Sequence, residues 1–570
     1  MSLAPRYRWV VSSAVSAPGE DLLTRILRSR GLRDPEQIQS FLDPLSAPPL
    51  SAFDVPGTHS AVALLRWAIR RDQRIIVHGD YDADGLSATA LMVKGLRALG
   101  AQVTPYIPNR LDTGYGLDAM SVMELATQGD VLVTVDCGIR SLEEVRLARQ
   151  HGMSVIVTDH HLPGQELPQA NAVVSTRLPD SPIRDELTGV GIAYQLLRAL
   201  YAVEGRFGDE LEDGASGPAW LEQEVVDLVA LGTIADVAPL VGENRRLVRL
   251  GLDKMRRDPT LGIAELARVA GVQAERINAW TVAFTLAPRI NAAGRLGSSL
   301  PALELLLTAS PARAAELAQY LERLNRERQR QVKRCLELAK AERSRSADDA
   351  PLIFSAAEDY PQGIVGLVAG RLCEDFGLPS IAVCLEDGRA HGSVRSPEWF
   401  NANQALESCA TLLDKFGGHA QAAGFSCPTA VVPEVERHLK DLARALATER
   451  DPRPTLEVDA ETPLVTAGQP IWEQLEALEP TGCGNPRPVF VSRGVRIASK
   501  SLMGRDGSHL QVVLQDDWGE IRAVGFGFGP ICPRLGDRAD IAYHLDEHAY
   551  NGTVERRLQI IDLADPSQPE

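Results

Sequence analysis

The densest chemistry in the chain is His78-Gly79-Asp80-Tyr81-Asp82-Ala83-Asp84-Gly85. Three carboxylates and an imidazole this close repel one another unless cations sit among them. Oxygen-rich donors joined by His suit Mg2+ or Mn2+. Asp80, Asp82, Asp84 and Gly85 also match the opening of a calcium EF-hand loop, but the position that must be Glu is Leu91. A strand before the loop also disagrees with helix–loop–helix. An acidic turn capping the next helix explains one Asp and leaves two unexplained.

Two further clusters sit at equivalent places. Asp136 follows the apolar run Val131-Leu132-Val133-Thr134-Val135 and precedes Cys137-Gly138; Asp159-His160-His161 follows Ser154-Val155-Ile156-Val157-Thr158. With Arg74-Ile75-Ile76-Val77, these runs read as strands, and Leu86–Leu99 and residues 141–150 read as helices between them. Continuous apolar strands alternating with helices predict a parallel sheet covered on both faces. Ligands gather at the carboxyl ends of such strands. The sheet therefore brings His78, Asp82, Asp84, Asp136 and His160 to one edge. Alone, an Asp after a strand reads as a helix cap and a His pair as surface; three coincidences on one edge do not. Asp227 lies in the apolar helical run Val225-Val226-Asp227-Leu228-Val229. A carboxylate is rarely buried unless paired or on a metal, and a buried hydrogen bond or Arg partner explains it equally well. Asp236, nine residues on, reads as structural or as a support for the ligands.

The elements that must position these groups belong to a long chain. At 570 residues it should hold about three or four domains. Its 44% hydrophobic and 24% charged residues are ordinary for a folded protein. No apolar run reaches the roughly 20 residues of a membrane span. Arg6 and Arg8 before Trp9-Val10-Val11 faintly mimic a secretion signal, but Ser12 and Ser13 cut it short, so a cytoplasmic protein is expected. The eight Cys show no C-x-x-C spacing and read as reduced thiols. The net charge of −17 weighs mildly against nucleic acid. It says little about one groove, because carboxylates in a metal site are neutralised there.

The expected fold class is α/β multidomain. Residues 1–50 read as a helical lead-in, 51–310 as the catalytic parallel-sheet domain, and 311–348 as a long connecting helix. Residues 349–452 read as a smaller α/β domain and 453–570 as a C-terminal β-barrel. Gly205–Gly217 reads as a surface loop. In the long helix, Leu317, Leu321, Leu324, Val332, Cys335 and Ala339 form an apolar seam. From Arg323 to Arg345 it holds nine Lys/Arg against three Glu, either a solvated face or a surface that tracks phosphates. Val489–Val491, His509–Leu514 and Glu520–Val524 are the expected barrel strands.

HGDYDADG, VDCG and TDHH resemble the DHH phosphoesterase superfamily. Phe416-Gly417-Gly418-His419-Ala420-Gln421-Ala422-Ala423-Gly424 resembles its companion domain, DHHA1. Ala287-Pro288-Arg289-Ile290-Asn291-Ala292-Ala293-Gly294-Arg295 and Pro480-Thr481-Gly482-Cys483-Gly484-Asn485-Pro486 resemble RecJ-type exonucleases in particular. The resemblance spans roughly residues 50–565 and makes the barrel similar to an OB-fold, a platform for single strands. It implies two divalent cations, Mn2+ or Mg2+. One would be held by His78, Asp82 and Asp136, the other by Asp84, Asp136, His160 and Asp227. Asp80 would orient the cluster, and His161 would face the scissile phosphate. Two such ions, about 3.5–4 Å apart, activate a water and stabilise a leaving oxygen.

Other residues would hold the substrate. Gly417, Gly418 and His419 could set backbone N–H groups and an imidazole against a phosphate; Arg371, Arg395 and Ser396 are further candidates. Asn109, Arg110 and Tyr115 could grip a phosphate and stack on a base. Arg289, Asn291 and Arg295 could form a second clamp. Turns, ion pairs, caps and domain contacts compete for each of these. The expected activity is a 5′→3′ exonuclease that cuts single-stranded DNA to nucleoside 5′-monophosphates in repair and recombination. The direction rests on the resemblance, as do a single-strand-binding protein and a helicase as partners. The rivals are a small-substrate DHH phosphoesterase (an oligoribonuclease or a pyrophosphatase), sharing the metal cluster, and a non-catalytic binding protein using the barrel.

Overall fold

Five strands in the first half build one parallel sheet in the computed structural model. The structure describes residues 3–11, 21–108, 116–204, 217–345, 348–448, 453–517, 519–550 and 553–566. The strand order is Gln102–Tyr106, Arg74–His78, Val131–Val135, Ser154–Thr158, Ala172–Val174. Side chains alternate between two cores, as the strand period requires. Ile75, Val77, Val131, Val133, Val135 and Ile156 enter the larger. Ile76, Leu132, Val155 and Val157 enter the smaller. Burying each such side chain stabilises the fold by about 1.5–3 kcal/mol, so both faces are covered, as the continuous apolar runs foretold. Strands Arg74–His78 and Val131–Val135 are neighbours although another strand separates them in sequence. Strand order reverses at that seam, and clefts open there.

The helix Pro311–Arg345 spans two cores and does more than connect them. Ala314, Leu317, Ala318 and Leu321 pack into the catalytic core. Cys335 and Ala339 pack into the second domain, with Val332 and Leu336 against them. Its basic face carries its own partners: Arg326 pairs with Glu322 at 2.6 Å, Arg330 with Glu327, and Arg334 with Asp359 at 2.5 Å. The second domain is a mixed sheet ordered Lys415–Gly418, Ala422–Pro428, Arg389–Arg395, Ser380–Glu386, Ile353–Ala357.

The barrel strands run Phe490–Met503, His509–Asp516, Gly519–Gly525, Thr553–Ala564 and Arg538–Tyr550, and the last pairs back onto the first. The N-terminal lead-in packs against the barrel. Strand Arg8–Val11 pairs in parallel with Thr455–Val458. Ile26, Leu27 and Phe41 of its two helices lie in the barrel's hydrophobic core. Among the described residues no helix is long and apolar enough to cross a membrane. Most of the expected loop Gly205–Gly217 lies outside the described residues.

Candidate metal centre

Three strand ends and two helix starts converge on one site. After strand Arg74–His78 the chain turns into helix Ala83–Ala98, with Asp82 as its cap. The Asp82 Oδ1 accepts from the N–H groups of Asp84 at 2.9 Å and Gly85 at 3.1 Å. Asp84 points the other way, to the N-terminus of helix Gly189–Val203. Its carboxylate accepts from Gly189 N–H at 2.7 Å and Val190 N–H at 2.9 Å. A helix N-terminus favours an anion. Asp136, directly after strand Val131–Val135, has φ +61, a left-handed conformation that Asp tolerates better than most residues. That turn aims its side chain back over the sheet edge.

Glycine makes the room. A Cβ on Gly189 would stand 2.4 Å from the Asp136 Cβ, and one on Gly232 would stand 2.7 Å from the Asp84 Oδ1. The imidazole of His160 enters the space between: its Nε2 lies 3.1 Å from Asp136 and 3.9 Å from Asp84, and its Nδ1 lies 3.9 Å from Asp236. The His161 Nδ1 lies 2.7 Å from Asp159, whose other oxygen accepts from Ile139 N–H at 2.9 Å. Asp159 thus fixes His161 from behind.

The electrostatics are those of a cation site. Burial, then the charges of Asp236 and Asp82, push the Asp84 carboxyl up to about 7. Burial and the charge of Asp82 do the same to Asp236, also to about 7. Burial and the neighbouring acids Asp84, Asp82 and Asp80 hold Asp136 well above the usual carboxylate range. Burial pulls His78 down to about 4, so its imidazole is neutral, as a metal ligand must be. Its Nε2 is buried with no hydrogen-bond partner among the described residues. On the opposite ring nitrogen, Nδ1, lies the Cys137 Sγ at 3.7 Å. For His161 burial lowers the pKa, but the hydrogen bond and charge of Asp159 outweigh it and the net shift is upward.

Three trios each offer ligand atoms within 4.8 Å of one another: Asp80, Asp82 and Asp136; Asp84, His160 and Asp236; and Asp136, His160 and His161. Carboxylates, neutral imidazole and a glycine-lined cradle fit divalent cations such as Mn2+ or Mg2+. His78 adds no atom to these trios but lies beside them at the end of its strand.

One expected ligand, Asp227, lies apart from these trios. Asp227 and Asp236 lie nine positions apart around helix Val226–Ala235 and its cap. At about 100° per residue that is half a revolution, so they face opposite ways. Asp236 faces His160, and Asp227 faces away. The Asp227 carboxylate accepts from Thr260 N–H at 2.7 Å, and the charges of Lys254 and Lys94 partly offset its burial. The sequence signal that favours Asp236 is Gly232 one helical turn before it, the residue that lets this face approach Asp84.

The expected phosphate contacts divide. Asn291 holds the metal loop: its Oδ1 accepts from Ala83 N–H at 2.7 Å. Arg289 pairs with Glu322 of the long helix at 2.7 Å and is mostly buried. Arg295 donates to the Gly363 carbonyl at 3.3 Å, and a Cβ on Gly363 would strike the Arg295 carbonyl oxygen at 2.0 Å. Helix Ala287–Leu296 is thereby clamped between the metal loop and the second domain. Arg371 pairs with Glu374 at 3.1 Å and Asp375 at 3.3 Å on its own helix. The Arg395 Nη1 donates to Ser393 Oγ and the Val394 carbonyl, each at 2.9 Å, while a Cβ on Gly366 would lie 3.2 Å from its Nη2. Ser396 Oγ donates to the Ala420 carbonyl at 3.0 Å, joining it to the exposed strand end of Gly417 and Gly418 and to His419 after it. Asn109, Arg110 and Tyr115 lie outside the described residues.

The chain matches known families along most of its length. Residues 74–233 match the DHH family N-terminal domain, 349–448 the DHHA1 domain and 458–562 the RecJ OB domain. The single-stranded-DNA-specific exonuclease RecJ of Thermus thermophilus is 36% identical over 574 residues, covering 100% of this chain and 79% of that protein. The crystal structure of RecJ from Thermus thermophilus in complex with Mn2+ superposes with a TM-score of 0.83 at 35% identity, covering 99% of this chain and 80% of that one. The Mg2+ complex of RecJ from the same organism gives 0.77 at 33% identity, covering 99% and 79%.

Proposed function

Because the chain belongs to the RecJ exonucleases of the DHH family, we propose that it hydrolyses single-stranded DNA from the 5′ end to nucleoside 5′-monophosphates. It is a metal-dependent phosphodiester hydrolase. The observation that carries this reading is the convergence of Asp84, Asp136, His160 and Asp236 within reach of one another at the sheet's carboxyl edge.

In this reading His78, Asp82 and Asp136 hold one divalent cation. Asp84, Asp136, His160 and Asp236 hold the other, Asp236 taking the place first given to Asp227. When bound, two such ions supply a nucleophilic hydroxide at neutral pH and meet the charge of the leaving oxygen. The chain's own residues prepare the site for them. The Gly189 and Val190 N–H groups fix Asp84 in one rotamer. Asp136 reaches both clusters because its left-handed turn carries it over the edge. Asp159 holds His161 so that a protonated imidazole can donate to a phosphate oxygen. Asp80, buried beside Asp82 and Asp136, orients the loop.

Around that centre, the strand end of Gly417 and Gly418 and the following His419, with Arg395 and Ser396, supply phosphate contacts in the second domain. Arg295 and Asn291 keep that domain in register with the metal loop. Asn109, Arg110 and Tyr115 are proposed to meet the strand near its end, and Arg289 and Arg371 serve mainly in ion pairs. The barrel favours a long strand over a dinucleotide. A role in repair and recombination in the cytoplasm, beside a single-strand-binding protein and a helicase, follows from the family.

The test uses long single strands labelled and blocked at either end, with Mn2+, Mg2+ or chelator. Mononucleotides should appear only when the 5′ end is open and metal is present, and Asp136→Ala should abolish their release. Faster hydrolysis of a dinucleotide than of a long strand would favour the small-substrate phosphoesterase. Full activity in Asp136→Ala would show the cluster to be misassigned.

A further inference from the structure

Helix Val226–Ala235 ends in a strained turn. Val237 N–H donates to the Ile234 carbonyl at 3.2 Å, and Ala238 N–H to the Thr233 carbonyl at 3.4 Å. This pair of bonds closes many helices, and it calls for a left-handed residue just past the end, ordinarily Gly. Helices Leu22–Ser29, Ala83–Ala98, Leu142–Gln150 and Leu261–Ala270 end with the same pair of bonds, and each has Gly there. These are Gly31, Gly100, Gly152 and Gly271, at φ between +71 and +88. Helix Thr58–Arg70 has Asp72, at φ +49, a type that tolerates the conformation. Helix Val226–Ala235 has Val237, at φ +60. Among the described residues four non-glycine residues have positive φ, and the other three are Asp. A β-branched residue is a genuine outlier there. The two bonds account for the backbone, and glycine would make them without strain. They do not account for an isopropyl group. Packing does not account for it either, because Val237 is 68% exposed. Strain of this kind collects at functional sites.

Its place in the molecule is the metal centre. Val237 directly follows Asp236, so the two Cα atoms are about 3.8 Å apart. The Asp236 carboxylate lies 3.9 Å from the His160 Nδ1, and the rings of His160 and His161 are 4.5 Å apart. Leu162 directly follows His161 and is 52% exposed. The Leu162 carbonyl accepts from the Arg140 Nε at 2.7 Å, which fixes the backbone at that point. Two exposed apolar side chains, from separate segments of the chain, thus adjoin a cluster made of carboxylates and imidazoles. A phosphodiester presents both kinds of surface. Its phosphate suits the cations, and the nucleosides it joins carry apolar sugar and base faces.

We propose that Val237 and Leu162 are substrate contacts, an apolar rim that packs against the nucleoside joined to the scissile phosphate. The inference rests on the proposed function and names what the site grips besides phosphate. Every base has an apolar face, so the rim serves any sequence alike. The strained turn is explained by what it presents: branched carbon beside Asp236, where glycine would present none.

The test compares the wild type with Val237→Gly, Val237→Ile and Leu162→Ala, all as full chains. Val237→Gly relieves the strain, so its melting temperature should match or exceed that of the wild type, by up to about 4 °C. On a long single strand with Mn2+, its KM should rise about tenfold. Its kcat should stay within about twofold, the pattern of lost binding common to ground and transition states. Leu162→Ala should raise KM in the same way. Val237→Ile keeps the branched carbon and should keep the wild-type KM. Mn2+ affinity, read by calorimetric titration without nucleic acid, should be unchanged throughout, since neither side chain can bind a metal. A wild type that releases no mononucleotides overturns the proposed function and this inference with it. With an active wild type, an unchanged KM in Val237→Gly or Leu162→Ala overturns this inference alone. A lower melting temperature in Val237→Gly also overturns it, because the side chain would then serve the fold. So does weakened Mn2+ binding in Val237→Gly, because the substitution would then act through Asp236.

Discussion

At the residue scale, two acids on one helix have opposite tasks, and substitution separates them. Asp236→Asn should weaken Mn2+ binding about tenfold or more while leaving the fold in place. Asp227→Ala should leave Mn2+ binding unchanged. It would strand the Thr260 N–H that Asp227 now satisfies, at a cost of about 1–3 kcal/mol in unfolding free energy. Calorimetry and denaturant titration read the two effects, and the reverse pattern would restore Asp227 to the cluster. Sequence could not make this choice, because a lone buried Asp in an apolar run stands out more than one at a helix cap. Only the direction of each face decides. Protons give a second check. Asp84 and Asp236 are pushed up to about 7 by burial and neighbouring carboxylates. A cation needs them ionised, so binding near pH 7 should release protons and weaken as pH falls below that value. Their folded values lie above the ordinary 3.8, so the metal-free fold holds extra protons between about 4 and 7 and should lose stability as pH rises through that window. Titration in buffers of different ionisation enthalpy measures the release. No dependence on buffer would mean that these carboxylates are already ionised.

At the element scale, the site exists because strands end where helices begin. That much was legible: runs such as Val131–Val135 and Ser154–Thr158 are apolar throughout, so they had to be central parallel strands with Asp136 and Asp159-His160-His161 at their carboxyl ends. Helix Gly189–Val203 was not legible as part of the site. Its contribution is backbone N–H, which no residue type announces, and the absence of a Cβ at Gly189. That absence is testable. Gly189→Ala would place its methyl carbon 2.4 Å from the Asp136 Cβ, so the carboxylate must move. A displacement of this size should lower kcat/KM about a hundredfold, with the far-ultraviolet circular dichroism of the wild type. Activity within twofold of wild type, about 0.4 kcal/mol in the barrier, would mean that Asp136 has slack the geometry denies. The second domain was read correctly as α/β. Of its two Arg candidates, Arg371 pairs with Glu374 and Asp375 on its own helix, and Arg395 donates to Ser393 and the Val394 carbonyl on its own strand.

At the scale of the whole molecule, the ends of the chain meet. The lead-in's partner was not legible in sequence because it lies more than four hundred residues away. Strand Arg8–Val11 against Thr455–Val458 and Ile26, Leu27 and Phe41 in the barrel core bind the two termini into one unit. Arg30 strengthens the joint through Asp459 at 3.0 Å, both side chains being largely shielded from solvent. Arg245 then ties that unit to the catalytic domain through the carbonyls of both Phe41 and residues 477–480. A cut in the lead-in should therefore be felt in the barrel first. Ile26→Ala, at a fully buried position, should cost about 2–5 kcal/mol. Hydrogen exchange should rise in strands Phe490–Met503 and Arg538–Tyr550, which line the same core, before it rises in strand Arg74–His78, which does not. If exchange rose equally in both sheets, the molecule would unfold as one cooperative body. If it rose only in residues 21–43, the lead-in would be the separate unit that its position in the sequence suggests.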